Sequence, residues 1–227
     1  MPPRSNRDLH GNAPDSSPVA LLIIDAINDL EFEGGAGMLD RAVRMARRIA
    51  TLKRRATEHR IPTVYVNDNF GRWRSDFRRI VAHCLDDGVR GRPVAQLLVP
   101  DENDYFVLKP KHSGFYNTTL ALLLEYLEAK TLLITGIATD VCVLFTAADA
   151  YMRDLKVVVP SDCATALTPI AHRRALAHMR TVLKAEVVPS ASLDLPRLAR
   201  SRRLSRRQSR SASTAKRRGQ GRPGRRG

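Results

Sequence analysis

The chain of 227 residues lacks several features that would assign it to a structural class at once. It has no apolar run of the roughly 18 residues needed to span a bilayer, which excludes an integral membrane protein. Its polar N-terminal residues include no apolar segment typical of a secretory signal, so none is expected. The only cysteines are Cys84, Cys142 and Cys163, without a Cys-x-x-Cys pair. This predicts neither a disulfide framework nor a zinc ribbon, and it favours a reducing, cytoplasmic location.

Acidic residues are missing from the C-terminal segment, and this absence accounts for most of the net charge of +15. Residues 197–227 hold 13 Arg or Lys and no Asp or Glu, whereas residues 1–196 hold 25 basic and 23 acidic residues. The body is therefore nearly neutral, and no specific nucleic-acid partner is expected for it. The Arg/Ser-rich tail fits either nonspecific binding to nucleic acid or anionic membrane, or a solvated extension.

The composition divides the chain into three segments. Residues 1–17 are rich in Pro, Ser, Asn and Arg, and residues 197–227 form the basic low-complexity tail. Both are predicted to be disordered, because neither has enough apolar residues to form a core. Residues 18–196 are predicted to form one globular domain.

Within this domain, short apolar runs alternate with segments of helical periodicity. Strands are predicted at residues 19–24, 63–66, 105–108, 131–135, 156–159 and 185–188, and helices at about 38–56, 118–127, 140–153 and 169–183. This alternation predicts an α/β fold, a three-layer, doubly wound arrangement. Its six-stranded, mainly parallel sheet is expected to have helices on both faces.

Chemically active side chains follow three of the predicted strands. Asp25 ends the first strand, Lys109 follows the third, and Cys142 comes after the fourth, near the start of a helix. Ligands in open parallel sheets bind beyond the carboxyl ends of the strands, so these residues are expected to converge. A helix N-terminus lowers the pKa of a thiol, and a carboxylate beside an ammonium can accept its proton. The pattern therefore predicts a nucleophilic cysteine.

Each of these residues also has an ordinary interpretation. Taken alone, Asp25 is typical of a helix cap or loop, Cys142 of a small buried hydrophobic residue, and Lys109 of a solvated charge. His112 is interpreted as a loop residue, because Asp25 already supplies a base. The joint placement at strand ends favours the catalytic interpretation.

Four sequence blocks carry a family resemblance: LLIIDAIND, VLKPKHSGFYNTTL, LLITGIATDVCVLFTAADA and VVVPSDCATA. Together they span about residues 18–190 and resemble the isochorismatase-like cysteine hydrolases, which include nicotinamidases and N-carbamoylsarcosine amidases. The resemblance implies that Asp25 is the general base and acid, that Lys109 orients and stabilises, and that Cys142 is the nucleophile. Lys109 matches the family's lysine better than Lys111, because it stands four residues before the Ser of a Ser-x-Phe element.

The resemblance also implies a cis peptide bond at Ile137–Ala138 and an oxyanion hole formed by the backbone N–H groups of Ala138 and Cys142. From the residues alone, this segment could equally be an ordinary β–α loop. The implied reaction transfers an acyl group from a small-molecule amide to sulfur, and water then hydrolyses the thioester. It needs no cofactor. Family members commonly form homo-oligomers, and the resemblance implies the same here.

The chain departs from the nicotinamidase pattern after the second strand. Nicotinamidases bind a metal there through an Asp-x-His element and a later His, but this chain reads Asp68-Asn69-Phe70, with His83 downstream. Phe70 cannot ligate, so no metal is expected and nicotinamide is disfavoured as the substrate.

The segment NDNFGRWRSDF is predicted to determine specificity. Asn69, Trp73 and Arg74 are the predicted substrate-binding residues, because an aromatic plane beside guanidinium groups suits a planar or carboxylate-bearing substrate. Trp73 could instead pack against a neighbouring subunit or helix.

Three functions remain open from the sequence. The first is cleavage of a small amide, carbamoyl or ureido C–N bond through a Cys142 thioester. The second is vinyl ether hydrolysis of the isochorismatase type, which needs no thiol. The third is a catalytically inactive binding module with a basic tail. The presence of Cys142 favours the first.

Overall fold

A computed structural model of the chain describes residues 16–69 and 76–200. The strands are β1 (Val19–Ile24), β2 (Thr63–Asp68), β3 (Tyr105–Lys109), β4 (Thr131–Ile137), β5 (Lys156–Pro160), β6 (Ala164–Thr165) and β7 (Glu186–Val188). The helices are α1 (Gly35–Glu58), α2 (Phe77–Asp86), α3 (Arg92–Leu97), α4 (Leu120–Tyr126), α5 (Leu144–Tyr151) and α6 (Pro169–Thr181). A π-helical turn (Thr139–Val143) precedes α5, and a 3-10 turn (Ser190–Ser192) follows β7.

The strands form one parallel sheet in the order β3-β2-β1-β4-β5-β7, with β6 paired to the end of β4. The predicted doubly wound α/β fold is confirmed, and so is the position of each predicted strand. β6 was not predicted, because two residues are too few to form a recognisable pattern. The chain order reverses between β1 and β4, which is where open sheets of this kind bind ligands.

β1 is buried on both faces, as its continuous apolar sequence predicts. Leu21 and Ile23 pack in the core on the α1 side, whereas Leu22 and Ile24 pack in the core formed with α4, α5 and α6. Alternate residues of a strand face opposite sides, so this one segment contributes to both cores. The two layers hold the carboxyl end of β1 in a fixed position.

Two helices, α2 and α3, were not predicted from the sequence. Helix α2 begins after Asp76, whose carboxylate accepts a hydrogen bond from the Arg79 backbone N–H at 2.9 Å. Its buried side chains are Phe77, Ile80 and Cys84, a spacing of three and four that indicates one helical face. Three buried positions over ten residues are too few to predict a helix from the sequence.

The ends of the chain lie largely outside the described residues. Residues 195–200 are helical, so described structure continues past the predicted domain boundary at residue 196. The disorder predicted for residues 197–227 is wrong for residues 197–200, which are helical, and the disorder predicted for residues 1–15 and 201–227 stays a prediction, since these residues are not described. Among the described helices, none has the length and apolar character needed to cross a bilayer.

Gly136 lies in β4 beside Ile24 of the neighbouring strand β1, where the two backbones approach closely. Its φ is 114°, and a Cβ at this position would lie 1.9 Å from the backbone oxygen of Ile24. Other residues rarely adopt this φ, and the backbone oxygen cannot move aside without disturbing β1. Only glycine therefore fits between the strand that ends at Asp25 and the turn that carries Cys142.

Replacing Gly136 by alanine is expected to lower the free energy of unfolding by about 3 kcal/mol or more, because it combines a backbone clash with a strained φ. Urea denaturation measures this effect. Gly37→Ala is the matched control, since Gly37 is exposed in the first turn of α1 and a Cβ there meets nothing within 4 Å. That change should leave the stability unchanged or raise it by at most about 1 kcal/mol. Equal effects of the two substitutions would contradict the close approach at Gly136.

Candidate active site

The structure brings Asp25, Lys109 and Cys142 together at the carboxyl edge of the sheet. Lys109 Nζ lies 2.8 Å from Asp25 Oδ2 and donates to Cys142 Sγ at 3.5 Å. The Asp25 carboxyl and the Cys142 thiol are also hydrogen-bonding partners. Two residues from distant parts of the sequence, Asp25 and Lys109, thus contact the sulfur of a third.

The backbone fixes Asp25 in this position. Its N–H donates to the Val66 oxygen at 2.9 Å, and its φ of 46° turns the chain at the end of β1. Its Oδ1 accepts a hydrogen bond from the Asp68 N–H at 2.6 Å, which leaves Oδ2 to Lys109. A buried carboxylate held by both an ammonium and a backbone N–H is pre-oriented for proton transfer.

Asp68 is a second carboxylate beside Lys109, and the sequence did not predict this role for it. It ends β2, adjacent to β3, and its Oδ2 lies 3.3 Å from Lys109 Nζ. Its side chain is partly exposed, whereas that of Lys109 is completely buried. The signal available in the sequence was the position of Asp68 just after a predicted strand.

The pKa of the Cys142 thiol differs from the lowered pKa that the sequence predicts. Burial, followed by the nearby Asp25 carboxylate, raises the pKa of the Cys142 thiol to about 12 despite the opposing effect of Lys109. The predicted lowering of this pKa by the helix N-terminus is therefore wrong for the free protein. Burial also raises the pKa of Asp25, against the opposing charge of Lys109. The resting site holds a thiol that can pass its proton to a neighbouring carboxylate.

Lys109 stays charged although it is buried. Burial acts to lower its pKa, but Asp25, Cys142 and Asp68 together outweigh that effect, and the net pKa is raised. A lysine amine with a raised pKa is an ammonium across the neutral range. Lys109 thus supplies a permanent positive charge beside the sulfur rather than a base.

Alkylation of Cys142 by iodoacetamide is expected to accelerate continuously with pH. Only the thiolate reacts, and for a pKa of about 12 its fraction rises about tenfold per pH unit below that value. The rate at pH 9 should exceed the rate at pH 7 by about 100-fold. Mass spectrometry of the peptide containing Cys142 measures this. A rate that is already constant near pH 7 would show a thiolate in the resting protein and contradict the raised pKa.

The turn between β4 and α5 carries the sulfur. The Ile137–Ala138 peptide bond is cis, and the Ala138 oxygen accepts hydrogen bonds from the N–H groups of Val141 and Val143. Cys142 lies within the π-helical turn that these bonds close. An oxyanion hole formed by the Ala138 and Cys142 N–H groups stays a prediction.

The loop after β3 completes the surroundings of Cys142. Ser113 Oγ donates to the Asp149 carboxylate, and the Gly114 N–H donates to Thr146 Oγ1 at 3.0 Å, which ties this loop to α5. His112 lies at the surface with its Nδ1 3.9 Å from Cys142 Sγ. The sequence interpretation of His112 as loop structure missed its proximity to the sulfur.

The predicted substrate-binding residues are only partly described. Asn69 is buried, and its N–H donates to the Lys109 oxygen at 3.1 Å, which places it beside the site. Trp73 and Arg74 lie outside the described residues. Their predicted contact with substrate remains untested.

The donor set does not fit a metal of the nicotinamidase type. Asp68 contacts the Lys109 ammonium, and residue 70 is Phe. His83 instead bonds Asp87 at 2.7 Å and lies 3.5 Å from Asp29. Within residues 16–69 and 76–200, no group of three or more His, Cys, Asp or Glu side chains is arranged to hold a metal.

The other two cysteines are more deeply buried. Cys84 and Cys163 are 1% and 0% exposed, whereas Cys142 is 9% exposed. Burial raises the pKa of both thiols to about 12. Neither has a lysine partner like that of Cys142, within the interactions of the described residues, so both are suited to packing.

Comparisons with known proteins agree on one family. Residues 19–192 match the isochorismatase domain. The chain is 39% identical over 168 residues to the uncharacterized isochorismatase family protein YaaI of Bacillus subtilis, covering 74% of this chain and 92% of YaaI. It is 41% identical over 85 residues to the ureidoacrylate amidohydrolase RutB of Methylobacterium radiotolerans, 37% of this chain and 33% of RutB. The solved structure of N-carbamoylsarcosine amidase from Thermoplasma acidophilum matches with a TM-score of 0.61 and 26% identity, covering 78% of this chain and 98% of that one.

Proposed function

Because this chain belongs to the isochorismatase family, we propose that it hydrolyses a small amide, carbamoyl or ureido C–N bond through a thioester on Cys142. One observation carries the proposal: Lys109 Nζ contacts both the Asp25 carboxylate, at 2.8 Å, and the Cys142 sulfur, at 3.5 Å. This arrangement provides a nucleophile, a proton acceptor and a fixed positive charge within one buried cluster.

The first half of the reaction forms the thioester. The thiol proton of Cys142 moves to the Asp25 carboxylate as the sulfur attacks the substrate carbonyl. The Lys109 ammonium stabilises the negative charge whether it rests on oxygen or on sulfur. The tetrahedral intermediate then breaks its C–N bond, and the leaving nitrogen takes the proton from Asp25.

The second half of the reaction releases the acid. A water molecule gives a proton to the Asp25 carboxylate and attacks the thioester carbonyl. The C–S bond breaks, and the sulfur recovers its proton from Asp25. The high pKa of the thiol suits this cycle, because a proton held by sulfur at rest is released only during attack. The N–H groups of Ala138 and Cys142 are the proposed oxyanion donors in both halves.

The site residues, rather than the comparisons, favour a carbamoyl or ureido substrate over a pyridine amide, because a solved nicotinamidase from Bacillus subtilis is also similar to this chain. Proteins named ureidoacrylate amidohydrolase and N-carbamoylsarcosine amidase are similar to this chain. The residues around Asp68 do not fit the nicotinamidase type of metal site. Among the residues that the structure describes, His112 and Asn69 border the cluster, and we expect them to contact a small polar substrate.

Intact mass spectrometry with a panel of ureido acids, N-carbamoyl amino acids and simple amides tests the proposal. We expect at least one compound to be hydrolysed and to leave a transient acyl mass on the peptide containing Cys142. Turnover of a vinyl ether substrate by a protein with alkylated Cys142 would instead identify the isochorismatase-type reaction. A protein that turns over no member of the panel and acquires no adduct would support the inactive binding module. The cytoplasmic location and the homo-oligomeric state remain predictions.

A further inference from the structure

A cavity of about 340 Å³ lies between α1, β6 and the beginning of α6. Its charged and polar lining consists of Arg41, Arg44, Arg48, Asp162, Thr165 and His172. Asp25, Lys109 and Cys142 do not line it. We propose that this cavity, named here the arginine cavity, binds a small metabolite through a carboxylate or phosphate group.

The lining of the arginine cavity carries an excess of positive charge. Arg41, Arg44 and Arg48 are spaced by three and four residues, so all three lie on one face of α1. Among the described residues that line this cavity, Asp162 is the only one with a carboxylate, and it lies 3.8 Å from Arg48 Nε. One carboxylate balances at most one of three guanidinium groups. The remaining excess of positive charge favours an anionic occupant.

The carboxylate of Asp162 is also committed elsewhere. Its two oxygens accept hydrogen bonds from the backbone N–H of Ser190, at 2.7 Å, and from Ser190 Oγ, at 2.8 Å. These bonds hold Asp162 against the turn after β7. It therefore cannot swing across the cavity to pair with Arg41 or Arg44.

Arg41 brings an unsatisfied hydrogen-bond donor to the cavity. Arg41 Nη2 donates to the Leu167 oxygen at 2.5 Å, which anchors the guanidinium beside the cavity. Its Nε is buried and, within the described residues, has no hydrogen-bond partner. Arg44 is exposed and makes no ion pair with any described residue. Buried polar groups normally find partners, so the Nε–H of Arg41 is available to donate a hydrogen bond to an anionic ligand.

The remaining polar groups in the walls of the cavity are neutral or already bonded. His172 Nδ1 and Thr139 Oγ1 form a hydrogen bond of 2.8 Å, and His172 also bonds the backbone of Ser161. Burial lowers the pKa of His172, so it is a neutral part of the wall. The guanidinium groups are thus the ligand-binding elements, and their planar forks suit carboxylate or phosphate oxygens. A volume of about 340 Å³ is appropriate for a small metabolite.

Isothermal titration calorimetry of the full chain with sodium phosphate and, separately, sodium succinate at constant ionic strength tests this proposal. We expect saturable binding of at least one of them at one site per chain, and the stronger ligand distinguishes a phosphate site from a carboxylate site. Arg44→Gln should weaken this binding at least tenfold. Arg47→Gln is the matched control: it removes the same charge from an exposed position of α1 that does not line the cavity, and should change binding less than twofold.

Several results would overturn the assignment. Absence of saturable binding of both anions would do so, as would equal weakening by the two substitutions, which would indicate general charge attraction. Unchanged binding by Arg44→Gln would place the anion elsewhere, for example on the Arg-rich residues 201–227. Loss of binding after alkylation of Cys142 would place it in the candidate active site. Thermal unfolding of both variants verifies that they are folded.

Discussion

Replacing Cys142 by alanine is expected to reduce kcat for the hydrolysed amide by about 10⁴-fold or more. Removing the nucleophile from a covalent hydrolase eliminates the acyl-enzyme route, and comparable losses of roughly 10⁴ to 10⁶ are known for such residues. The side chain is small and lies at the edge of the core, so the fold should persist. Turnover of the best compound from the panel, measured at saturating concentration, gives the size of the effect.

Cys84→Ala is the control for this experiment. Cys84 is a buried cysteine in the other core, where its loss creates a similar small void without touching the candidate active site. We expect that variant to retain its activity per folded molecule. If Cys142→Ala kept more than a few per cent of the parental kcat, the thioester mechanism would be wrong even if Asp25 and Lys109 proved essential.

Replacing Lys109 by methionine is expected to affect both activity and stability. Lys109 is completely buried and contacts the carboxylates of Asp25 and Asp68. Removing one partner of a buried ion pair leaves an uncompensated charge and costs about 3–5 kcal/mol of unfolding free energy. Activity should fall at least about 10³-fold, because the positive charge beside the sulfur is lost. Urea denaturation and turnover assays measure the two effects.

The loss of stability in Lys109→Met should depend on pH. Burial already raises the pKa of Asp25, and without the lysine charge nothing comparable opposes it. A carboxyl whose pKa is higher in the folded state favours folding at low pH and disfavours it as pH rises. The deficit relative to the parent should therefore be larger at pH 7 than at pH 4. A deficit that is independent of pH would indicate a packing defect instead.

Two further variants separate charge from packing. Lys111→Met changes the nearby exposed lysine and should leave both stability and activity nearly unaffected. The double variant Asp25→Asn with Lys109→Met removes both charges of the buried pair. It should recover much of the lost stability but no activity, because the base is then missing as well.

The parts of this protein that could be predicted from sequence are those that depend on periodicity. The apolar run of β1 predicted a buried strand, and the helical spacing in α1 predicted a helix with one buried face. Lys109 was preferred to Lys111 partly because it directly follows a predicted strand, and β3 indeed ends at Lys109. Strand ends in a parallel sheet lie at a common edge, so chain position alone brought the three site residues together.

The features of the site that the sequence did not predict depend on burial and on contacts between segments that are distant in the chain. The position of Cys142 near a helix start suggested a lowered thiol pKa, but burial and the Asp25 carboxylate act in the opposite direction and are stronger. Neither effect is visible in a local pattern. The contact of Asp68 with Lys109 likewise requires the pairing of β2 with β3, which the sequence does not specify.

The order of the site residues along the chain has a consequence for biosynthesis. A ribosome produces Asp25 early, Lys109 midway and Cys142 later, and the strands β5 and β7 that extend the sheet come after all three. A polypeptide that ends before β5 lacks the strand that pairs with β4, whose end leads into the turn that carries Cys142. Turnover is therefore expected to count only molecules in which these segments have folded together, which makes it a sensitive reporter of refolding in a renaturation experiment.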